Sequence, residues 1–128
     1  MAGTVTYTIS KTRTVRKVKL AWVSSAGGAA DYVSDYLSGQ ILRVVFKPDS
    51  GGTQPSDLYD VTLKDDEGQD VLQGLGANLS NTTVKEIVPV VTNGTAGNMA
   101  PVAIDDTLTL AVTNAGNAKG GQIIIWLR

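Results

Sequence analysis

The sequence QIIIWLR, residues 122–128, is an almost unbroken run of apolar side chains. A one-sided strand alternates apolar and polar residues, whereas a strand that is covered on both faces is apolar throughout. The β-branched isoleucines favour extended backbone over helix. The run therefore predicts a strand that is buried on both faces.

Other segments alternate, as half-buried strands do. In TVTYTIS, residues 4–10, threonines separate Val5, Tyr7 and Ile9. Similar alternation is present at residues 14–24, 57–65 and 106–116. The segment GQILRVVFKP at 39–48 is apolar at both parities and ends at a proline, which cannot extend a strand ladder. Pro89 interrupts a further apolar segment and indicates an edge strand or a bulge there.

The composition supports an all-β chain. The 128 residues include 14 glycines and 14 threonines but only seven aromatic residues, and threonine favours strands while glycine favours turns. About eight strands are predicted, and no helix longer than two turns. We expect a single-domain β-sandwich or jelly roll, with an extended N-terminal segment at residues 1–19 followed by the body of the domain at 20–128.

The sequence lacks the residues that most enzyme mechanisms need. It contains no cysteine and no histidine, which removes thiolate nucleophiles, disulfides and the most common general base. We therefore expect no enzyme activity, no catalytic residue, no metal site and no cofactor. No signal peptide or membrane-spanning run is apparent, so a soluble protein is expected.

Two groups of acidic residues are candidates for a functional site. Asp65, Asp66, Glu67 and Asp70 lie close enough in sequence to suggest a calcium loop, but their spacing differs from that motif and favours a solvated hairpin tip. The pair Asp105 and Asp106 directly precedes a strand, where aspartate commonly bonds the backbone of a turn.

Charge is divided unevenly along the chain. Residues 1–28 hold five bases and no acid, and residues 29–70 hold nine acids and three bases. The basic set of Arg13, Arg16, Lys17 and Lys19 has three explanations: a solvated strand face, a contact with an acidic partner, which includes the acidic middle of a neighbouring copy, or a contact with nucleic-acid phosphates. The small basic excess and the few aromatic residues argue against nucleic acid. Trp22 and Trp126 are expected to be core or interface anchors.

Two long segments carry a resemblance to a known family. The run SGQILRVVFKPDSGGTQPSDLYDVTLKDDEGQDVLQGLGANLSN at 38–81 and the run LTLAVTNAGNAKGGQIIIWLR at 108–128 resemble small structural proteins of tailed bacteriophages. That family is similar to head decoration, or cement, proteins. The resemblance implies a non-enzymatic protein of the virion, made in the bacterial cytoplasm and located on the capsid surface.

The resemblance also implies partners. They would be the major capsid protein or other virion proteins, with a homodimer or homotrimer of the chain itself and no membrane or nucleic acid. Strand addition to a neighbour is expected through Val5, Tyr7 and Ile9. Contact with an acidic surface is expected through the basic set Arg13, Arg16, Lys17 and Lys19.

Two alternatives are open at this point. A neck, tail or fibre component would share the same composition and differ in copy number. A carbohydrate-binding module would need an exposed aromatic platform in a concave patch, for which Trp22, Tyr32 and Tyr36 are the candidates.

Overall fold

The computed structural model describes residues 3–11, 14–92, 94–95 and 97–128. Within these ranges the regular structure is almost entirely β-strand, with one turn of 3-10 helix at Gly51–Thr53. The described strands are β1 (Thr4–Lys11), β2 (Arg16–Val23), β3 (Ala30–Val33), β4 (Leu37–Pro48), β5 (Asp60–Lys64), β6 (Lys85–Ile87), β7 (Val90–Thr92), β8 (Met99–Pro101), β9 (Ala103–Asp106), β10 (Thr109–Thr113) and β11 (Gly120–Leu127).

The predicted all-β, sandwich-like fold is confirmed, although the described ranges contain eleven strands instead of about eight. One reason is that the segment before and after Pro89 forms two short strands, β6 and β7, and not one. A proline cannot donate a ladder hydrogen bond, so the pairing stops there. The other reason is that β8 and β9, which precede the alternating segment at 106–116, are not among the predicted strands.

The large sheet has the order β1-β2-β11-β4-β6, and β9 also pairs with β4. β11 lies between β2 and β4 and is antiparallel to both. Ile123, Ile125 and Leu127 point into the core and are fully buried. Ile124 and Trp126 alternate with them and are only half-buried. The expectation that both faces are buried is therefore wrong for the outer face.

The small sheet has the order β3-β10-β5 and continues into the large sheet through a bent ribbon. β3 pairs with β10, and the next residues of the same two segments pair again as the first part of β4 with β9. Ser34 is buried at the bend, where its hydroxyl accepts a hydrogen bond from the Leu108 N–H at 3.0 Å. This bond satisfies a backbone donor at the point where the ladder is interrupted.

Aromatic contacts join the two layers. The rings of Trp22 and Tyr59 lie 5.6 Å apart in the core, and those of Tyr7 and Tyr32 stack at 5.8 Å between β1 and β3. Trp22 and Tyr59 are among the largest fully buried side chains of the described chain. Such pairs add to the stability that burial of their area provides.

A bulge in β4 changes which of its side chains face the core. Trp126 pairs with Arg43, but Leu127 pairs with Ile41, so Leu42 is an extra residue in the ladder. Ile41 and Val44 are consequently both fully buried, although they have opposite parity. A strict alternation of side chains would place Ile41 on the face opposite to Val44.

The N-terminal segment is part of the large sheet. β1 pairs with β2 along its whole length, and the expected boundary at residue 19 falls inside β2. β2 in turn lies between β1 and β11. The described residues of the segment are therefore strands of the domain and form no separate arm, and strand addition here would use the outer edge of β1.

We predict that Tyr59 makes the fold sensitive to alkaline pH. Burial raises the pKa of Tyr59 to about 12, whereas a tyrosine in an unfolded chain titrates near 10. Between these values the folded state keeps a proton that the unfolded state has lost, so the free energy of unfolding falls as the pH rises from about 10 to about 12. Urea denaturation across this interval should show a smaller fall for Tyr59→Phe than for the wild type, and parallel curves would contradict the assignment.

Candidate protein-binding surface

The outer face of the large sheet combines basic and apolar side chains in registered rows. Lys19, Ile124 and Val45 lie side by side on β2, β11 and β4. The next row contains Lys17, Trp126 and Arg43. We call this surface the basic face and define it by Lys17, Lys19, Arg43, Val45, Lys47, Ile124 and Trp126.

Trp126 is the centre of the second row and lies between two cations. The Arg43 guanidinium carbon is 3.9 Å from the centroid of the indole ring, and the Lys17 ammonium is 5.7 Å from it. Each such contact contributes about 0.5–1 kcal/mol at an exposed site. Arg43 also bonds Glu86 on β6 at 3.1 Å. The guanidinium is thus held over the ring by a carboxylate on the adjacent strand.

The basic face carries an excess of positive charge. Its four bases are accompanied by one acid in the same rows, Glu86. On the β1 side, the rows end at the neutral Thr8 and Ser10. Lysine and arginine stems can lie along apolar surface while their charged ends stay in water. The face therefore offers an apolar strip with cations on both sides of it.

Carboxylates are concentrated elsewhere, where the turn after β5 meets β9. The Asp66 N–H donates to an Asp106 carboxylate oxygen at 3.0 Å, which joins the two acidic segments. Asp65, Glu67 and Asp105 adjoin them in sequence. Asp65, Asp66 and Glu67, which belong to the acidic stretch of residues 29–70, are thus at this junction and not in the rows of the basic face.

The residues predicted to bind a partner do not all lie on one surface. Val5, Tyr7 and Ile9 are partly buried against the core of their own chain. Arg16 donates a hydrogen bond to the Ser38 carbonyl. Lys17 and Lys19 project from the outer face, whereas Arg13 lies outside the described residues.

Sequence reasoning missed the remaining members of the basic face. Arg43, Val45 and Lys47 are on β4, far from Lys17 in sequence, and only the strand order brings them together. The one sequence signal for this surface is that residues 122–128 are apolar at both odd and even positions. In a strand with one exposed face, Ile124 and Trp126 mark a surface suited to a partner.

The acidic candidates bond the backbone of their own turns. Asp65 accepts hydrogen bonds from the N–H groups of Glu67 and Gln69. Asp70 accepts from three N–H groups, those of Leu63, Leu72 and Gly74. In the described part of the chain, no group of three or more carboxylates is arranged to hold a metal ion.

The candidate aromatic platforms do not form one site. Trp22 is only 2% exposed and belongs to the core, and Tyr32 stacks on Tyr7. Tyr36 is 63% exposed, and its hydroxyl donates to the Asp105 carbonyl at 2.7 Å.

Two clefts indent the described surface. One of about 450 Å³ adjoins the β7–β8 hairpin, and one of about 330 Å³ lies beside Gly3 and Val23. Neither is lined by an ionisable side chain. They provide no pair of groups for acid–base chemistry.

Comparison with known proteins adds no relative. The chain matches no protein-family model, and no curated protein is significantly similar to it in sequence. Among the described residues, no helix has the length and apolar character that crossing a membrane requires.

We predict that the basic face concentrates small anions around Trp126. Iodide quenches indole fluorescence on contact, and Trp22 is too deeply buried to respond. Lys17→Gln combined with Lys19→Gln should lower the Stern–Volmer constant for iodide about twofold at low ionic strength, and salt should remove the difference.

Lys64→Gln, on the outer face of the small sheet, is the matched control and should leave the constant unchanged. Trp126→Phe should remove the quenchable emission. Equal quenching of the wild type and the double variant would show that the bases do not create a positive potential at Trp126.

Proposed function

We propose that this protein is a non-enzymatic structural component of a tailed-bacteriophage virion, a head decoration protein that binds and stabilises the capsid lattice through its basic face. The observation that carries the docking surface is the row of Lys17, Trp126 and Arg43, which lies partly exposed on a sheet whose other face is the core. The assignment to a virion is supported by the resemblance of residues 38–81 and 108–128.

The chemistry of the basic face favours a folded, acidic protein surface as the partner. Its side chains project from adjacent strands of one sheet, which presents an extended surface and not a cavity. Tryptophan and arginine are the residues that most often dominate binding energy at protein interfaces. Lysines around them give electrostatic complementarity to carboxylates and increase the association rate.

The proposed role needs only contacts of ordinary size. A specific protein interface of ordinary size buries about 800 Å² on each partner. Repeated contacts on a lattice raise the effective concentration of each further contact, so a modest individual affinity gives durable binding. This arrangement needs no active site.

The first experiment is a count of this chain in purified particles, by quantitative mass spectrometry against the major capsid protein. We expect on the order of hundreds of copies per particle, since a decoration protein follows the symmetry of the whole shell. About twelve copies or fewer would replace decoration by a neck, tail or fibre role. Absence from the particle would overturn the virion assignment and direct attention to Tyr36 as a carbohydrate contact.

The second experiment tests the docking surface. Lys19→Glu reverses one charge of the basic face, beside Ile124, and we expect it to weaken binding to particles at least about tenfold, equivalent to ~1.4 kcal/mol. Binding is measured by co-sedimentation of purified protein with particles that lack it.

Lys64→Glu makes the same charge change on the outer face of the small sheet and is the matched control. It should bind as the wild type does. Equal loss in both variants would mean that only net charge matters, and no loss in either would exclude the basic face as the docking surface.

A further inference from the structure

The β7–β8 hairpin extends from the edge of the large sheet, and its described residues form strand pairs only with each other. β6 and β9 both pair with β4, and the chain between them leaves the sheet as β7 and returns as β8. In the described part of the chain, β7 and β8 form a separate two-stranded sheet. A ribbon of two strands is at best marginally stable alone in water.

The hairpin has the side chains of an interface and not those of a solvated loop. Val91 is 42% exposed and Met99 is 64% exposed. Residues 87–104 contain no charged side chain. Natural edge strands are usually protected from pairing by lysine, proline or a bulge, and β7 itself contains none of these.

The hydrogen-bond register leaves the outer edge of β7 open. The Val102 N–H donates to the Pro89 carbonyl at 3.3 Å, directly before the ladder in which Val91 pairs with Ala100. Bonded and non-bonded pairs alternate along an antiparallel ladder. The N–H and C=O groups of Val90 and Thr92 therefore point away from β8.

The outer edge of β8 is less suited to pairing. By the same alternation, Met99 and Pro101 are the residues of β8 that present their backbone outward. Pro101 has no N–H to donate. Of the two edges of the hairpin, β7 thus offers the complete set of donors and acceptors.

We propose that β7 pairs antiparallel with β7 of a second copy of this chain, about a twofold axis that passes beside Val91. Val90 then lies opposite Thr92 of the second copy, and Thr92 lies opposite Val90 of the second copy. Both are bonded pairs, so the N–H and C=O groups of Val90 and Thr92 all have hydrogen-bond partners in each copy. The two hairpins become one four-stranded sheet.

The second copy is the occupant because the outer edge of β7 is complementary to itself and carries no charge. A residue that lies on a twofold axis meets its own counterpart, so a charge placed there repels itself. The basic face and the acidic turn would bring like charges together near such an axis, whereas β7 places the neutral Val91 on it. Val91 and its counterpart form a non-bonded pair, in which the side chains approach closely and β-branched residues pack well.

This dimer does not depend on the proposed function, because it is expected in solution without particles. The contact is small, so the test must detect a weak complex. The chain contains no cysteine, and a single introduced thiol therefore reports one contact.

Val91→Cys is expected to form an intermolecular disulfide under mild oxidation. In a non-bonded antiparallel pair the α-carbons lie about 4.5 Å apart, within the range that a disulfide spans. Ala100→Cys is the matched control on the neighbouring strand, where the proposed sheet separates the two thiols by three strand spacings, or about 14 Å.

We expect Val91→Cys to cross-link at least about tenfold faster than Ala100→Cys. Equal rates would overturn the twofold pairing. Non-reducing electrophoresis over time measures both variants, and circular dichroism verifies that each is folded.

A charge pair gives an independent measurement by sedimentation velocity. Val91→Lys and Val91→Glu should each be monomeric, because like charges meet at the axis. An equimolar mixture should associate, because the axis then brings a lysine to a glutamate. A mixture that sediments as the average of its components would also overturn the proposal.

Discussion

The pairing of β11 with both β2 and β4 is the constraint on which the rest of the structure depends. In the described sheet, β1 and β2 are joined to β4 and β6 only through this strand. Two glycines at its start allow the close approach, since a Cβ on Gly121 would lie 2.7 Å from the Trp22 ring. The same pairing places Trp126 between Lys17 and Arg43. Core and basic face are thus two sides of one strand.

Local periodicity explains which parts of the fold the sequence could predict. Strand alternation is a property of adjacent residues, so the buried positions of Leu20, Trp22 and Leu63 follow from the pattern alone. Strand order depends on contacts between distant segments, and no local signal encodes it. Strict alternation also gives no sign of the bulge at Leu42, and it would therefore place Ile41 on the wrong face.

The candidate surface was predictable only in part, for the same reason. Lys17 and Lys19 share one strand, and their parity was sufficient to place them together on its outer face. Arg43 joins them because β4 lies on the other side of β11, which requires the complete topology. The apolar run of residues 122–128 predicts a strand that is buried on both faces, but its outer face is only half-buried. That face contains the apolar residues of the proposed docking surface.

The two proposed interfaces meet different requirements of symmetry. The basic face cannot pair with the basic face of a second copy, because four cations would approach four cations, so it needs an acidic surface as its partner. The hairpin lacks charge and has an edge that is complementary to itself, so it can form a closed twofold contact. One surface then attaches the chain to a partner, and the other links two attached chains. Linkage of this kind raises the affinity of a pair above that of either chain without any new contact to the partner. A weak hairpin contact would therefore have its largest effect when a lattice already holds neighbouring copies close together.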